Sequence, residues 1–299
     1  MIKPPSLIKG DKIGLVAPAR KIAPGEISKA IDIIESQGFV PVYRNDLFAA
    51  DNQFAGNDLI RASNTQQMLD DPEIKAIFCA RGGYGSVRII DMLNFELFKK
   101  HPKWFVGYSD VTVFHSHINT VLGVQTLHAT MPINFPENTG RALSGLFDVL
   151  RGTFPGYTIE PHHLNRKGNT EGILTGGNLS VLYSLMGSRS FPDMKDKLLF
   201  IEDLDEYLYH IDRMMLGLKR AGLLEKLNGL IIGGMTDMND NEVPFGKTAY
   251  EIIQEAVAAY NYPVCFGFPA GHFNNNRPLI MGAQVKLDVN DHPQITFLD

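Results

Sequence analysis

A serine in this 299-residue chain stands where a predicted strand runs directly into a predicted helix. Residues 104–106 are apolar and typical of a buried strand, and the tetrapeptide GYSD at 107–110 separates them from a segment with helical spacing. A serine on so sharp a turn projects its hydroxyl from the carboxyl end of a sheet, where open α/β folds place their sites. The usual elbow is G-x-S-x-G, and here Val111 replaces the second glycine. Ser109 is therefore a candidate nucleophile, and the alternative is that it only caps the helix.

A glycine-rich segment at 81–86 (RGGYGS) also lies between a predicted strand and a predicted helix. Glycines let the backbone approach a ligand closely and leave amide N–H groups free, so this loop can stabilise an oxyanion or bind a phosphate. Its spacing matches neither the P-loop nor the G-x-G-x-x-G fingerprint, which disfavours nucleotide binding. An oxyanion loop and a simple tight turn are the two remaining interpretations.

A carboxylate and a histidine in the second half of the chain could complete an acyl-transfer site. Glu202 and Asp203 end an apolar run at 198–201, and His272 follows another strand and a Pro-Ala-Gly turn. Each has a structural alternative, because carboxylates at strand ends commonly cap the next helix and a lone histidine in a turn is usually structural. Together with Ser109 they supply a nucleophile, a base and a carboxylate that orients the base. Only the fold can bring residues so distant in sequence together.

Alternating strands and helices in the first half must position Ser109 and the glycine-rich loop. Hydrophobic spacing predicts strands at 12–17, 41–44, 76–80, 104–106 and 124–128, with helices at 25–37, 57–69, 86–93 and 111–122. This alternation predicts a mostly parallel sheet that is covered on both faces and has right-handed crossovers.

The second half must position the carboxylate and the histidine. Its patterns predict strands at 198–201 and 229–232, helices near 209–221 and 248–259, and four short strands after the last helix. Closely spaced final strands predict a partly antiparallel or barrel-like second domain.

The periodic pattern weakens between 136 and 167, where only one helix, around 143–150, is predicted. We place the domain junction there. The sequence then divides into a first α/β domain at 1–138, a linker at 139–166 and a smaller β-rich α/β domain at 167–299.

Composition limits the class of protein. Hydrophobic residues make up 44% and charged residues 20%, and the formal net charge is −5, which disfavours partners such as nucleic acid or anionic membranes. The two cysteines lie in separate apolar runs and predict no disulfide, and the histidine pair at 162–163 lacks carboxylate partners for a metal. The first residues do not resemble a signal peptide. We therefore expect a cytoplasmic protein with a small-molecule substrate and no metal or other cofactor.

Several motifs, in a fixed order, resemble those of the LD-carboxypeptidases, a family of serine peptidases that includes the microcin-immunity peptidases. They are APAR, RGGYGS, VGYSDVT, LTGGNLSVL, FIEDLDE with YHIDRMM, LIIGG and PAGH, and they extend over residues 12–287. The resemblance implies a flavodoxin-like first domain, a β-rich second domain, a homodimer and an active site between the domains. It also implies that the substrates are cytoplasmic muropeptides, which lose a terminal D-alanine by hydrolysis of an L,D-peptide bond during peptidoglycan recycling.

The same resemblance assigns functions to individual residues. It implies a catalytic triad of Ser109, Glu202 and His272, with an oxyanion hole formed by the backbone amides of Gly83 and Asp110. His272 would accept the proton of Ser109, and Glu202 would stabilise the imidazolium that results.

Further residues are expected to contact the substrate. A substrate with a free terminal carboxylate needs a cation, for which Arg81 is the candidate, and we expect Tyr84 and Tyr108 to bind the substrate as well. One departure from the family is visible, because the chain has HATM at 128–131 where His-Gly-Pro-Met is expected. This departure puts the local wall of the substrate site in question.

Three other functions fit parts of the sequence. An immunity-type amidase would act on a peptide-nucleotide conjugate and would favour longer aromatic-bearing loops near the site, which the sequence does not reveal. A catalytically silent protein could bind cell-wall peptides in the same cleft, but it would not need Ser109, Glu202 and His272. A nucleotide-binding flavodoxin-like protein is compatible with the fold alone.

Overall fold

Two β-sheets form the centre of the protein, which a computed structural model describes over residues 1–154 and 156–298. The first half of the chain supplies β1 (Lys12–Val16), α1 (Pro24–Ser36), β2 (Val40–Val42), α2 (Asp58–Asp70), β3 (Ile74–Cys79), α3 (Ser86–Ile89), α4 (Glu96–Lys100), β4 (Trp104–Gly107), α5 (Thr112–His117), β5 (Thr126–His128) and α6 (Gly140–Leu150). The second half supplies β6 (Tyr157–Thr158), β7 (Gly168–Asn178), α7 (Leu179–Ser184), β8 (Lys197–Leu204), α8 (Leu208–Arg220), β9 (Gly229–Thr236), α9 (Ala249–Ala256), β10 (Val264–Phe266), β11 (Leu279–Met281), β12 (Gln284–Val289) and β13 (Gln294–Phe297).

The first sheet has the strand order β2-β1-β3-β4-β5 followed by β11. Its first five strands are parallel, which confirms the predicted parallel α/β sheet and gives the flavodoxin-like order. Strand β11 adds antiparallel to β5, with Leu279 opposite His128. The sequence analysis had placed this strand in the second domain, so the two halves of the chain share a sheet.

The second sheet has the order β10-β9-β8-β7-β12-β13-β6. Strands β10 to β7 are parallel and the remaining pairs are antiparallel, which confirms the partly antiparallel, β-rich second half. The central strand β7 was not predicted, because glycine is disfavoured in strands and this strand is rich in it. Gly176 has a φ of +116°, and a Cβ there would lie 1.9 Å from the carbonyl oxygen of Phe200, so glycine allows this close approach.

The segment predicted as a linker, 139–166, takes part in both sheets' packing. Its helix α6 buries Leu146 and Phe147 in the core, and β6 pairs with β13 at the edge of the second sheet. These short elements account for the weak periodicity of the segment.

One hydrophobic core extends from the first sheet into the second. It includes Phe78 on β3, Phe147 on α6, Phe200 on β8 and Leu287 on β12, each of them at most 1% exposed. A buried side chain of this size contributes roughly 1.5–3 kcal/mol to folding. The shared core fixes the carboxyl ends of β4 and β8 relative to each other.

Several helices begin at a polar residue whose side chain accepts a hydrogen bond from the first turn. These residues are Asn57, Thr139, Asn178 and Thr248. Such caps satisfy amide groups that have no partner within the helix. Across the described residues, we find no helix with the length and apolar character needed to cross a lipid bilayer.

Candidate active site

Ser109 lies in a strained turn between β4 and α5. Its φ is +64°, a left-handed conformation that is uncommon outside glycine and that functional sites often retain. A Cβ at Gly107 would lie 2.8 Å from a methyl group of Val111, so the valine side chain packs onto the glycine that begins the turn. The second glycine of the usual elbow is therefore replaced by a residue that fills this space.

Glu202 and His272 form a buried pair. The Nδ1 atom of His272 lies 2.7 Å from Oε2 of Glu202, and the side chains are 13% and 0% exposed. Glu202 lies near the carboxyl end of β8, and His272 follows the turn at Gly271. Gly271 has a φ of +119°, and a Cβ there would lie 2.8 Å from Glu202 Oε2, so only glycine leaves room for the carboxylate.

The environment of His272 favours a basic imidazole. Burial alone would lower the pKa of His272, but the charge of Glu202, its hydrogen bond and the charge of Asp203 outweigh burial and hold this pKa above its ordinary value. Because Nδ1 faces Glu202, Nε2 is the nitrogen left to accept a proton.

A cleft of about 260 Å³ brings the predicted nucleophile and base together. Ser109 and His272 both line it, as do Gly82, Gly83 and Tyr108. Over the described parts of the chain, no hydrogen bond yet joins the Ser109 hydroxyl to the imidazole. Catalytic hydrogen bonds of this kind are often long without substrate and tighten when it binds.

The glycine-rich loop lies directly against Ser109. A Cβ at Gly82 would lie 3.1 Å from the Cβ of Ser109, and Gly83 has a φ of +113°. The carboxylate of Asp110 accepts a hydrogen bond from the Ser86 amide at 2.8 Å and so anchors the end of the loop. Burial raises the pKa of Asp110, although hydrogen bonds with Ser86 and Gly85 act in the opposite direction and lower it.

The buried Arg61 provides a second anchor for this loop. Its guanidinium donates to the carbonyl oxygens of Pro18 at 2.6 Å and Gly85 at 2.9 Å. Two buried polar side chains, Asp110 and Arg61, therefore hold the end of the loop at residues 85–86, and Arg61 also ties it to the segment after β1.

The residues predicted to bind substrate have three different placements. Tyr108 lines the cleft, with its ring 4.8 Å from that of His272 and its hydroxyl donating to Asn134 at 3.2 Å. Arg81 also lines the cleft, but it is paired with Glu26. Tyr84 is not in the cleft wall, because the loop turns its ring outward onto Phe54, and it is 49% exposed.

Arg20 is a cleft residue that the sequence analysis did not single out. It lines the cleft beside Gly83, and it belongs to the APAR motif that follows β1. Its place just beyond the carboxyl end of a parallel strand was the available signal, since such ends face the sites of open α/β sheets.

A hydrogen-bond network links α5, the helix that follows Ser109, to the strand β8 that carries Glu202. The Asn178 amide donates to the Thr112 hydroxyl at 3.0 Å, and its side chain donates to Asp203 at 2.8 Å. Burial and the neighbouring Glu202 raise the pKa of Asp203 to about 7. Asp203 thus ties β8 to the start of α7 and is not exposed to the cleft.

The unusual HATM segment also has a defined structure. His128 is fully buried and its ring lies 5.9 Å from that of Tyr108, while burial holds the pKa of His128 well below its ordinary value. The Thr130 hydroxyl donates to Asn138, whose side chain donates to the carbonyl of Asn274 at 3.0 Å. A proline at 130 could not make this hydrogen bond, so the departure connects the first sheet to the loop of His272.

Two family profiles match this chain, one in each half. Residues 13–129 match the profile of the LD-carboxypeptidase N-terminal domain, and residues 171–287 match that of the LD-carboxypeptidase C-terminal domain. The chain belongs to the LD-carboxypeptidase family. The family resemblance inferred from the motifs is thereby confirmed.

Relatives of this LD-carboxypeptidase family member cover almost its whole length. It is 32% identical to the probable murein peptide carboxypeptidase of Bacillus subtilis, over 96% of this chain and 91% of the relative. It is 24% identical to the microcin C7 self-immunity protein MccF of Escherichia coli, over 95% of this chain and 92% of the relative. The crystal structure of muramoyltetrapeptide carboxypeptidase from Oxalobacter formigenes superposes with a TM-score of 0.89 at 25% identity, over 96% of this chain and 99% of that one.

Proposed function

We propose that this protein is a serine LD-carboxypeptidase that releases terminal D-alanine from murein tetrapeptides in cytoplasmic peptidoglycan recycling. The observation that carries the proposal is the Glu202–His272 pair, whose imidazole lines the same cleft as Ser109 while the carboxylate is buried behind it. The names of the murein peptide carboxypeptidases among its relatives support the choice of substrate. We extend the proposal to a homodimer, which light scattering of the purified protein would test.

In the proposed mechanism, Nε2 of His272 accepts the proton as the Ser109 hydroxyl attacks the scissile carbonyl. Glu202 stabilises the imidazolium, and the amides of Gly83 and Asp110 stabilise the oxyanion. The imidazolium then donates its proton to the amino group of the departing D-alanine, and an acyl-enzyme remains on Ser109. Water, activated by His272, hydrolyses this ester and restores the serine.

The test is the release of D-alanine from a murein tetrapeptide. We expect the wild-type protein to release it and Ser109→Ala to lose about 10⁵–10⁶ in kcat, as nucleophile knockouts do in other triads. Near-normal turnover by Ser109→Ala would contradict the mechanism. Tetrapeptide binding without any hydrolysis by the wild type would instead indicate a silent binding protein.

An immunity-type amidase is the second candidate, because the MccF self-immunity protein is also a relative. Incubation with a peptide-nucleotide conjugate tests it directly. Ser109-dependent cleavage of the conjugate together with an inert tetrapeptide would favour this alternative over the carboxypeptidase.

A further inference from the structure

The cleft around Ser109 is electrostatically one-sided. Two arginines, Arg20 and Arg81, line it, and none of the described residues in its wall is an aspartate or glutamate. The carboxylate of Glu202 is fully buried behind His272. An anionic group on a ligand is therefore the charge that this cleft favours.

The two arginines differ in how firmly they are held. The guanidinium of Arg81 donates to the carbonyl oxygen of Lys21 at 3.4 Å and lies 3.5 Å from the carboxylate of Glu26. Glu26 is itself fixed, since it accepts a hydrogen bond from the Ala23 amide at 2.7 Å. Arg81 would have to give up these contacts, and part of its charge is already balanced.

The side chain of Arg20, in contrast, is available to a ligand. Its side chain is exposed and forms no hydrogen bond or ion pair with any residue in 1–154 or 156–298. Only its backbone is held, by a hydrogen bond from its amide to the carbonyl oxygen of Gly82 at 3.4 Å. All five N–H donors of this guanidinium are therefore available to a ligand.

The glycine-rich loop places Arg20 at a short distance from the nucleophile. A Cβ at Gly82 would lie 3.1 Å from Ser109, and a Cβ at Gly83 would lie 2.1 Å from Cδ of Arg20. Consecutive Cα atoms are about 3.8 Å apart, so the serine and the arginine stem contact adjacent residues of one loop. The guanidinium can then reach a group that lies about one residue beyond the scissile bond.

We propose that Arg20, rather than Arg81, binds the terminal carboxylate of the substrate and so makes the enzyme a carboxypeptidase. This inference rests on the proposed function and names the residue that would select peptides with one residue after the scissile bond. A planar guanidinium can hold a carboxylate through two parallel hydrogen bonds, which also fixes the orientation of the peptide.

The experiment compares two substrates, a murein tetrapeptide with a free terminal carboxylate and the same peptide with a terminal carboxamide. We expect wild-type protein to prefer the acid. Arg20→Ala should lose about 10- to 100-fold in kcat/KM on the acid, the value of a hydrogen bond to a charged group, while its rate on the carboxamide stays close to that of the wild type. Arg20→Lys should recover part of the preference, because it keeps the charge but not the paired donors.

Lys21→Ala is the matched control. It removes a neighbouring exposed cation that does not line the cleft, and it should retain the wild-type preference for the acid. An unchanged acid-to-carboxamide ratio in Arg20→Ala would overturn the inference. If Arg81→Ala loses the preference for the acid while Arg20→Ala keeps it, the substrate carboxylate would be assigned to Arg81 instead.

A binding measurement separates this inference from the proposed function. Both peptides are titrated calorimetrically into Ser109→Ala with and without Arg20→Ala. If wild-type protein releases no D-alanine, the proposed function fails, and tighter binding of the acid that depends on Arg20 would still support the carboxylate site. Equal binding of the two peptides, or no binding of either, would overturn the site even if the hydrolase activity is present.

Discussion

At the scale of single residues, two glycines in the loop that carries His272 should respond differently to substitution by alanine. Gly267 and Gly271 both have positive φ, +76° and +119°, but a Cβ at Gly267 meets nothing within 4 Å, whereas a Cβ at Gly271 meets Glu202. Conformational strain therefore applies to both positions. Steric conflict with the proposed triad applies only to Gly271.

We predict that Gly271→Ala loses activity and that Gly267→Ala does not. Both variants should lose about 1–3 kcal/mol of stability from backbone strain. Only Gly271→Ala displaces the carboxylate, and a displacement of about 1 Å near the chemistry can cost about 10²-fold in rate. Denaturant unfolding and kcat for D-alanine release measure the two effects, and equal activity in both variants would contradict the proposed function of Glu202.

Glu202 should also control the ionisation of His272. Because the carboxylate raises the pKa of His272, Glu202→Gln should lower this pKa, so the imidazole titrates at lower pH than in the wild type. A protonated imidazole cannot act as the base, so the acid limb of the kcat/KM profile should move to lower pH, while kcat falls by about 10⁴-fold. NMR titration of the ring measures the pKa directly.

Asp203→Asn is the comparison for this titration. Asp203 acts on His272 through charge alone, so its removal should lower the pKa of His272 by less than the removal of Glu202. A His272 that titrates at the same pH in the wild type and in Glu202→Gln would show that the pair in the structure does not control the base.

At the scale of elements, the loop of His272 is held by the segment that begins α6. The amide of Thr139 donates to the carbonyl oxygen of Asn274 at 2.9 Å, and the side chain of Asn138 donates to the same oxygen at 3.0 Å. Both bonds cross from the first half of the chain to the second. They fix the backbone two residues after His272.

We predict that Asn138→Ala lowers kcat with little change in KM. The variant removes one of two donors to Asn274 and also the acceptor of the buried Thr130 hydroxyl, so the stability loss should be about 1–3 kcal/mol, and looser positioning of the base should reduce kcat by roughly 10-fold or more. Asn228→Ala is the control for the bond to Asn274, since it removes a hydrogen bond from a side-chain amide to the Glu171 carbonyl at 3.0 Å, outside the cleft wall. Equal kcat values in the two variants would show that Asn138 does not position His272.

These elements also show what the sequence could and could not predict. Strand and helix alternation gave the first sheet, because buried parallel strands and amphipathic helices leave strong periodic patterns. The strand at Gly168–Asn178 was missed because it is rich in glycine, which is unusual in strands. These glycines let its backbone approach the next strand closely. The partner of Leu279–Met281 could not be predicted, since pairing between distant strands depends on the whole fold.

Some residues of the candidate site could likewise be predicted from the sequence, and others could not. Ser109, Glu202 and His272 stand at strand ends and turns that the local pattern could locate, but each had a structural alternative until the family resemblance joined them into one hypothesis. The sequence analysis did not single out Arg20, which lines the cleft, and it expected a substrate contact for Tyr84, which lies outside the cleft wall, because the direction of a loop side chain depends on its tertiary neighbours. The Arg20 stem packs over Gly83, and the Tyr84 ring packs on Phe54.

At the scale of the whole molecule, the proposed triad depends on two sheets remaining in one arrangement. Strand β11 completes the first sheet with residues from the second half of the chain, and one core contains side chains from both sheets. Separation of the two halves would expose the edge of β5 and the shared core. The free-energy cost of this exposure would be far larger than the net folding stability of an ordinary domain. The protein should therefore unfold as a single unit, despite its two sheets.

A pair of fluorescence reporters can test this expectation. The only tryptophan, Trp104, is 1% exposed in β4 and reports on the first sheet, while Trp104→Phe combined with Phe297→Trp would report on β13 in the second. We predict that both reporters and the loss of D-alanine release have the same urea midpoint, because no stable state keeps one sheet without the other. Two separate midpoints would mean that the sheets unfold independently, and the active-site geometry would then depend on a contact between autonomous domains.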